Sequence, residues 1–485
     1  MQSYLAGRVA LTALAVAAFA LWTRQASAQP PVADPLKQVT PSGSPQIPEI
    51  EEAFQCLRSH DLDGAKSLLD TAVKAHADLP PSRVLMAAWF AQTGQRAMVQ
   101  LQLELAVQEM PGDPAAYLGL GELALRGQRW TEADLCFQKA YELAGKFKGD
   151  ARRRSATLVQ ALFGEVAVAE ARDDWPTAQK HIEEIVAKDP KNASALQQYG
   201  RALFKQKKVS AALEKLKAAR TVNEKLLTPE AVLAGFYQQE GDTASAGKWM
   251  KAAIEAAPND LNTRLAAAQW ALATFQFAAA EKQAAAALKL DPASQDAQMV
   301  AGLVALYLKD YAHAAAFFQK IVDQSPSNFL AINNLALALA HQGEADKKRA
   351  LEYAQMNAQR ASSQPEAFAT VGWVLYQLGR AAEAEAAFSK ALELGQGQTS
   401  ANLAYYIARI STDRKRYDEA RKALDLALRS PQPFVERPAA EQLAKELDKL
   451  APPGGTSKAK SSTPPATPEK PGLKPTPSPS GRGSG

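Results

Sequence analysis

Apolar positions recur on two scales in this chain. Over short stretches they follow one helix face, as in Ala384, Phe388 and Ala391, spaced four and three residues apart. Over longer ones the whole pattern returns after about thirty-four residues. The clearest copies run from Pro365 to Gly372 with Gly379, Ala384, Phe388 and Ala391, and from Gln295 to Gly302 with Tyr311, Ala314, Phe318, Ile321 and Pro326. A fixed period in this range marks stacked helical units, each too small to bury its apolar face alone. The long helical segments carry few β-branched runs, and Gly and Pro fall mostly at unit boundaries. The pattern predicts an all-α chain.

Within the period the demands are steric. Gly121, Gly200, Gly302 and Gly372 stand in the first helix of their units, and Ala133, Ala212, Ala314 and Ala384 in the second. Alanines return further along the second helix at 140, 219, 253, 287 and 391, and Phe137, Met250, Phe318 and Phe388 fill the space between. A mid-helix glycine costs about 1 kcal/mol relative to alanine, so its recurrence implies a close contact. Turns such as Asp113-Pro114, Asp189-Pro190, Pro258-Asn259, Asp291-Pro292 and Ser325-Pro326 separate the units, because proline suits a first helical turn and cannot continue the helix before it.

These residues resemble the tetratricopeptide repeat family, over about four-fifths of the chain. Its small residue at position eight, alanines at twenty and twenty-seven, large residue at twenty-four and proline at thirty-two can be followed through eleven units, with second-helix positions at Ala65, Val99, Ala133, Ala178, Ala212, Ala246, Ala280, Ala314, Ala350, Ala384 and Ala420. Nine of the ten intervals lie between 32 and 36 residues; the tenth, 45, holds an insertion from Gly145 to Ser155. The ninth unit has extra residues, expected in its turn around Ala345 to Arg349. The resemblance implies a right-handed superhelical solenoid of about eleven helix-turn-helix units over residues 49–430. Phe434, Leu443, Leu447 and Leu450 predict a capping helix within 431–450 that covers the last open face.

The ends are different. Residues 1–28 read as a secretory signal: Arg8, an apolar stretch from Val9 to Trp22, then Ala26-Ser27-Ala28 before Gln29. The apolar stretch is short for a span, which needs about 20 residues; an uncleaved signal anchor is the alternative. Residues 29–48 hold six prolines and form a linker, and 451–485 are a Pro-, Ser- and Lys-rich tail expected to stay disordered. The first 28 residues contribute +2 and the last 35 contribute +4 to a net charge of +5, leaving about −1 between them. The folded part therefore lacks the overall basic balance that nucleic-acid binding uses. An exported, periplasmic or extracellular protein is expected, without a membrane span after cleavage.

Catalytic chemistry is hard to find. Gly119-Leu-Gly121-Glu-Leu-Ala124 mimics a dinucleotide fingerprint but sits inside a helix. Asp61-Leu-Asp63-Gly64 hints at a calcium loop but falls on an inter-helix turn and lacks the further ligands. His60, His76, His181, His313 and His341 are scattered over separate units, paired carboxylates such as Glu183 and Glu184 lie on solvated faces, and Cys56 and Cys136 are expected to be buried small hydrophobes. No catalytic, metal or cofactor site is expected.

Two binding surfaces stand out. The resemblance places positions two, five, nine and twelve of each first helix on the concave side, giving Arg201 and Phe204, Met299, Leu303 and Leu306, Asn333 and Leu337, and Trp373 and Tyr376. In units eight to ten this is an apolar and aromatic strip suited to a protein or extended peptide, or to packing between first helices. The Lys-x-x-x-Asn carboxylate clamp of some family members is missing: the fifth unit offers Gln197 and Arg201, the ninth Asn333 and Leu337. The second surface is the basic insertion Lys146, Lys148, Arg152, Arg153 and Arg154, either a solvated connector or a docking patch for an acidic partner. The function expected is a non-catalytic scaffold outside the cytoplasm that helps assemble an envelope complex. Alternatives are a cell-surface protein held to an anionic wall polymer by its tail, or a non-catalytic subunit of a secretion or polysaccharide-export machine. The oligomeric state is left open.

Overall fold

The computed structural model describes residues 47–451 except Gln432. The segment read as export signal, most of the linker and the tail beyond Ala451 lie outside the described residues. Among those described, twenty-three α-helices and no strands are found. The first six pairs are α1 (Pro48–Arg58) with α2 (Leu62–Ala75), α3 (Ser82–Gln92) with α4 (Arg96–Glu109), α5 (Pro114–Arg126) with α6 (Trp130–Lys146), α7 (Ala151–Ala171) with α8 (Trp175–Lys188), α9 (Ala193–Lys205) with α10 (Val209–Val222), and α11 (Pro229–Gln239) with α12 (Thr243–Ala256). Five more follow: α13 (Leu261–Ala273) with α14 (Phe277–Leu290), α15 (Gln295–Tyr307) with α16 (Tyr311–Gln324), α17 (Phe329–Ala340) with α18 (Glu344–Arg360), α19 (Pro365–Gln377) with α20 (Ala381–Leu394), and α21 (Ala401–Asp413) with α22 (Tyr417–Leu428). A single helix, α23 (Arg437–Leu450), ends the stack.

The two helices of a pair do different jobs. A first helix packs on its own partner and on the first helices of neighbouring units, as α17 does on α18 and α19. It is therefore apolar nearly all round, and α17 buries every residue from Ala331 to Ala340. A second helix forms the outer layer and buries one stripe, Ala384, Phe388 and Ala391 in α20.

Each pair is joined by three residues, and in ten of the eleven the middle one is left-handed, from φ 56° at Asp173 to 81° at Gly241. This is a Schellman end: in the tenth turn the Arg380 N–H reaches Leu375 O at 2.9 Å and the Gly379 N–H reaches Tyr376 O at 2.9 Å. Only Gly94, Gly241 and Gly379 are glycines at this place; His60, Gln128, Asp173, Lys207, Phe275, Lys309 and Lys415 hold the same twist with a side chain attached. The ninth turn, His341 to Gly343, is the exception among the described residues. It is no longer than the others, so the extra residues expected there are not in the turn: they lengthen α18 to 17 residues.

Three of the four recurring glycines meet aromatic rings, and Gly200 meets Leu216. A Cβ on Gly121 or Gly302 would lie 2.7 or 2.6 Å from the ring of Phe137 or Phe318. On Gly164, in the first helix of the next unit, it would also strike Phe137, at 2.4 Å. At Gly372 it would sit 2.4 Å from Phe388 Cε1 and 3.1 Å from Ala384 O. Gly372→Ala should therefore destabilise the fold by about 1–3 kcal/mol, overpacking outweighing the helix propensity that alanine brings. Urea denaturation checks the sign: an unchanged or raised midpoint would mean that the Phe388 ring moves aside freely.

Other local readings resolve in the same terms. Asp61 accepts the Gly64 N–H at 2.8 Å and so caps α2, which accounts for the calcium-loop resemblance without a metal. Gly119 and Gly121 lie inside α5. Cys56 and Cys136 are free thiols and only half-buried, less than expected, and burial together with the Glu132 charge pushes the Cys136 thiol up. Leu443 and Leu447 of α23 are buried as a cap requires, but Leu450 is exposed and Phe434 precedes the helix.

Candidate peptide groove

The inner faces of units seven to eleven carry a row of rings. Phe277 stacks on Tyr307 at 5.7 Å, Tyr311 on His341 at 4.2 Å, and Trp373 on Tyr406 at 4.2 Å, with His341 and Trp373 6.1 Å apart between them. First helices supply Tyr307, Trp373 and Tyr406, while Phe277 and Tyr311 begin second helices and His341 stands in the ninth turn. Burial pushes the Tyr311 phenol up to about 12, with the Glu436 carboxylate adding to it. Burial also raises Tyr307, Tyr405 and Tyr406, and Glu436 contributes at the last two. These hydroxyls are neutral donors at any physiological pH.

The expected strip is not an open surface. Leu303 is 2% exposed and Trp373 3%, and Leu306, Asn333 and Leu337 are also buried; only Met299 and Tyr376 keep partial exposure. Part of the cause is packing between neighbouring first helices. The other part is the chain itself. The connector from α22 to α23 runs across the groove, and its residues Pro433–Glu436 lie against units some 95 to 126 residues earlier. The Tyr307 hydroxyl donates to Pro433 O at 3.1 Å, Glu436 Oε1 stands 3.4 Å from His341 Nε2, and the Arg437 guanidinium covers the Phe275 ring at 5.7 Å. Val435 and Glu436 line one small space with Leu306, Tyr311, Leu337, His341, Asn402 and Tyr406.

Tyr376 has its own commitments. Its hydroxyl donates to Asp413 and accepts from Arg409 Nε at 3.3 Å, while Arg409 pairs with Glu446 of α23 at 3.2 Å. Arg201 and Phe204 stand apart from the strip. Arg201 pairs with the buried Glu170 at 3.1 Å and lies over the Trp175 ring. Phe204 is enclosed between units five and six, edge-on to Tyr237 at 4.9 Å. Both hold neighbouring units together.

The basic insertion also differs from a uniform patch. Lys146, Lys148, Arg152 and Arg154 are exposed, and Lys146 pairs with Glu142 at 2.6 Å. Arg153 turns inward: its Nη2 lies 2.6 Å from both carboxylate oxygens of Asp113, and its guanidinium covers the Phe147 ring at 4.8 Å. Asp113 meanwhile accepts the Ala115 N–H at 2.9 Å and caps α5. The insertion thus lengthens α6 and α7 and ties α7 back to the start of the third unit.

Sequence reasoning missed Phe275, Tyr307, Tyr311, His341, Asn402, Tyr406 and the Pro433–Glu436 segment. One sign was present: Phe434 and Val435 follow two prolines, at 431 and 433, in a stretch without helical period. Apolar residues there needed a home outside either flanking helix. Among the described residues no group of three or more His, Cys, Asp or Glu side chains is placed to hold a metal ion.

Tetratricopeptide repeat models match residues 165–223, 265–329 and 370–433, and a second model of the same repeat matches 231–260. Similar solved structures include yeast Tom70, at 14% identity and a TM-score of 0.34 over 83% of this chain and 95% of that one. A tetratricopeptide repeat protein from Parabacteroides merdae gives 16% and 0.36, covering 60% of this chain and 98% of that one. The type IV pilus biogenesis factor PilW gives 18% and 0.36, covering 45% and 96%. No curated protein matches the sequence. The sequence matches pass over 330–369, where the ninth pair has its irregular turn and long α18, yet that pair packs like the others. From the fourth pair to the last, repeat pattern and helix geometry coincide, and the chain belongs to the tetratricopeptide repeat proteins.

Proposed function

We propose that this protein is a non-catalytic scaffold that acts outside the cytoplasm, takes an extended segment of a partner in the groove of units seven to eleven, and serves in assembling an envelope complex. Tetratricopeptide repeat proteins are generally protein-interaction scaffolds, and no catalytic family is indicated. The observation that carries the groove is its present occupant: Pro433–Glu436, a segment outside any helix, lies along the ring row through both main-chain and side-chain contacts. Export is supported by the signal-like residues 1–28, and no described helix is long and apolar enough to cross a membrane.

Photo-crosslinking in intact cells tests this. A benzoylphenylalanine at Phe275, 44% exposed at the groove edge, is compared with one at Leu135 on the outer layer. The expected result is one envelope protein trapped from 275 and not from 135. Equal trapping from both positions, or trapping of cytoplasmic proteins alone, would overturn the reading.

A further inference from the structure

The connector is more deeply seated than a link between α22 and α23 requires. Closing the stack is the work of α23, which buries Ala440, Leu443 and Leu447. A linker with that role alone would run over the surface. Instead Phe434 is 2% exposed and joins the core of units five to eleven, under the Arg437 guanidinium at 5.4 Å. Val435 and Glu436 reach the second, third and fifth first helices of the groove, and the Glu436 carboxylate is buried beside His341. Three consecutive side chains thus find an aromatic, an aliphatic and an acid-accepting place, while Tyr307 holds the main chain.

The fit is incomplete at one point. Asn402 lines the same small space, is 7% exposed, and its Oδ1 accepts no hydrogen bond. Buried acceptors are rarely left so. An occupant that offered a donor there would bind better than the connector does.

We propose that Pro433–Glu436 is a built-in competitor: a strap occupying a peptide site whose other ligand is an extended segment with an aromatic, an aliphatic and an acidic residue in succession, and a donor facing Asn402. This rests on the scaffold reading above. The strap is tethered within eight residues, from Arg429 to Glu436, between two packed helices. So short a tether gives an effective concentration of about millimolar, enough to exclude weak ligands and admit one that fits better.

The test uses the full chain with Pro433–Glu436 replaced by Gly-Ser-Gly-Ser, and a fluorescent peptide of residues 429–438. Circular dichroism confirms that the variant keeps its helices. Anisotropy should show the peptide binding the variant at least about tenfold more tightly than the parent, and a peptide carrying Phe434→Ala and Glu436→Gln binding neither. Binding to neither protein by the unaltered peptide, or to both equally, overturns the proposal. Should the variant not fold, hydrogen exchange of the parent decides. Amides of Val435 and Glu436 should exchange through local opening, well before those of Tyr405 and Tyr406 in α21. Equal protection would make the segment a permanent staple and end the idea. A strap that behaves as described, in a protein that traps no envelope partner, would instead count against the scaffold reading alone.

Discussion

Trp373→Ala is expected to cost about 3–5 kcal/mol, the range for truncating a buried tryptophan, and to cost it locally. The indole is enclosed by rings from three units: Tyr406 at 4.2 Å, Tyr376 at 5.3 Å, Tyr405 at 5.8 Å and His341 at 6.1 Å. Tyr376 shares its helix, but Tyr405 and Tyr406 belong to α21 and His341 follows α17, so the space cannot close without sliding units past one another. Repeat stability is roughly a sum of units and their interfaces. The loss should therefore appear as early unfolding of units nine to eleven, with units one to six unchanged. Urea denaturation followed by hydrogen exchange on each half would show it; a drop below about 1 kcal/mol, or one shared by both halves, contradicts the packing described.

Asp113→Ala should have an effect of similar size for an electrostatic reason. Removing the carboxylate strands the Arg153 guanidinium, whose side chain is only 13% exposed, and strips α5 of its cap. Breaking a buried pair from one side costs about 3–5 kcal/mol. Exchanging both ends, Asp113→Asn with Arg153→Met, should recover most of the loss, because asparagine still caps and methionine fills the same space without a charge. A double variant no more stable than the single one would show that the pair is not what holds the insertion down. The exposed Arg152 and Arg154, changed to alanine, should move stability by about 0.5 kcal/mol at most.

The architecture was readable in the sequence because it repeats. One small residue facing a ring is weak evidence, but Gly121, Gly302 and Gly372 at the same place in three units speak for one another, and each meets a phenylalanine ring as expected. The turns were readable from Asp, Asn and Pro around the caps. Their left-handed middle residue was not: Lys207, Lys309 and Lys415 carry no mark of the twist, since the Schellman bonds on either side impose it.

The groove was half legible. Position within the repeat assigned Leu303, Leu306, Leu337 and Trp373 to the inner row, but exposure is a property of what comes back to cover them. That information lies in the pairing of Tyr307 with Pro433 and of His341 with Glu436, about a hundred residues away. A periodic reading sees only neighbours. For the same reason Arg153 looked like one of five equivalent cations, although its acid partner sits forty residues earlier in the third unit.

The Tyr307–Pro433 bond has a consequence for how the array comes apart. A linear stack can fray from its last unit inward, one helix pair at a time. A clasp between the eighth unit and the segment behind the eleventh closes that end into a loop, joined across 126 residues. While the clasp is seated, the eleventh unit cannot peel away alone, and only α23 lies beyond it. The last four units are coupled for as long as the strap is closed, and its release is the step that must come before any of them frays.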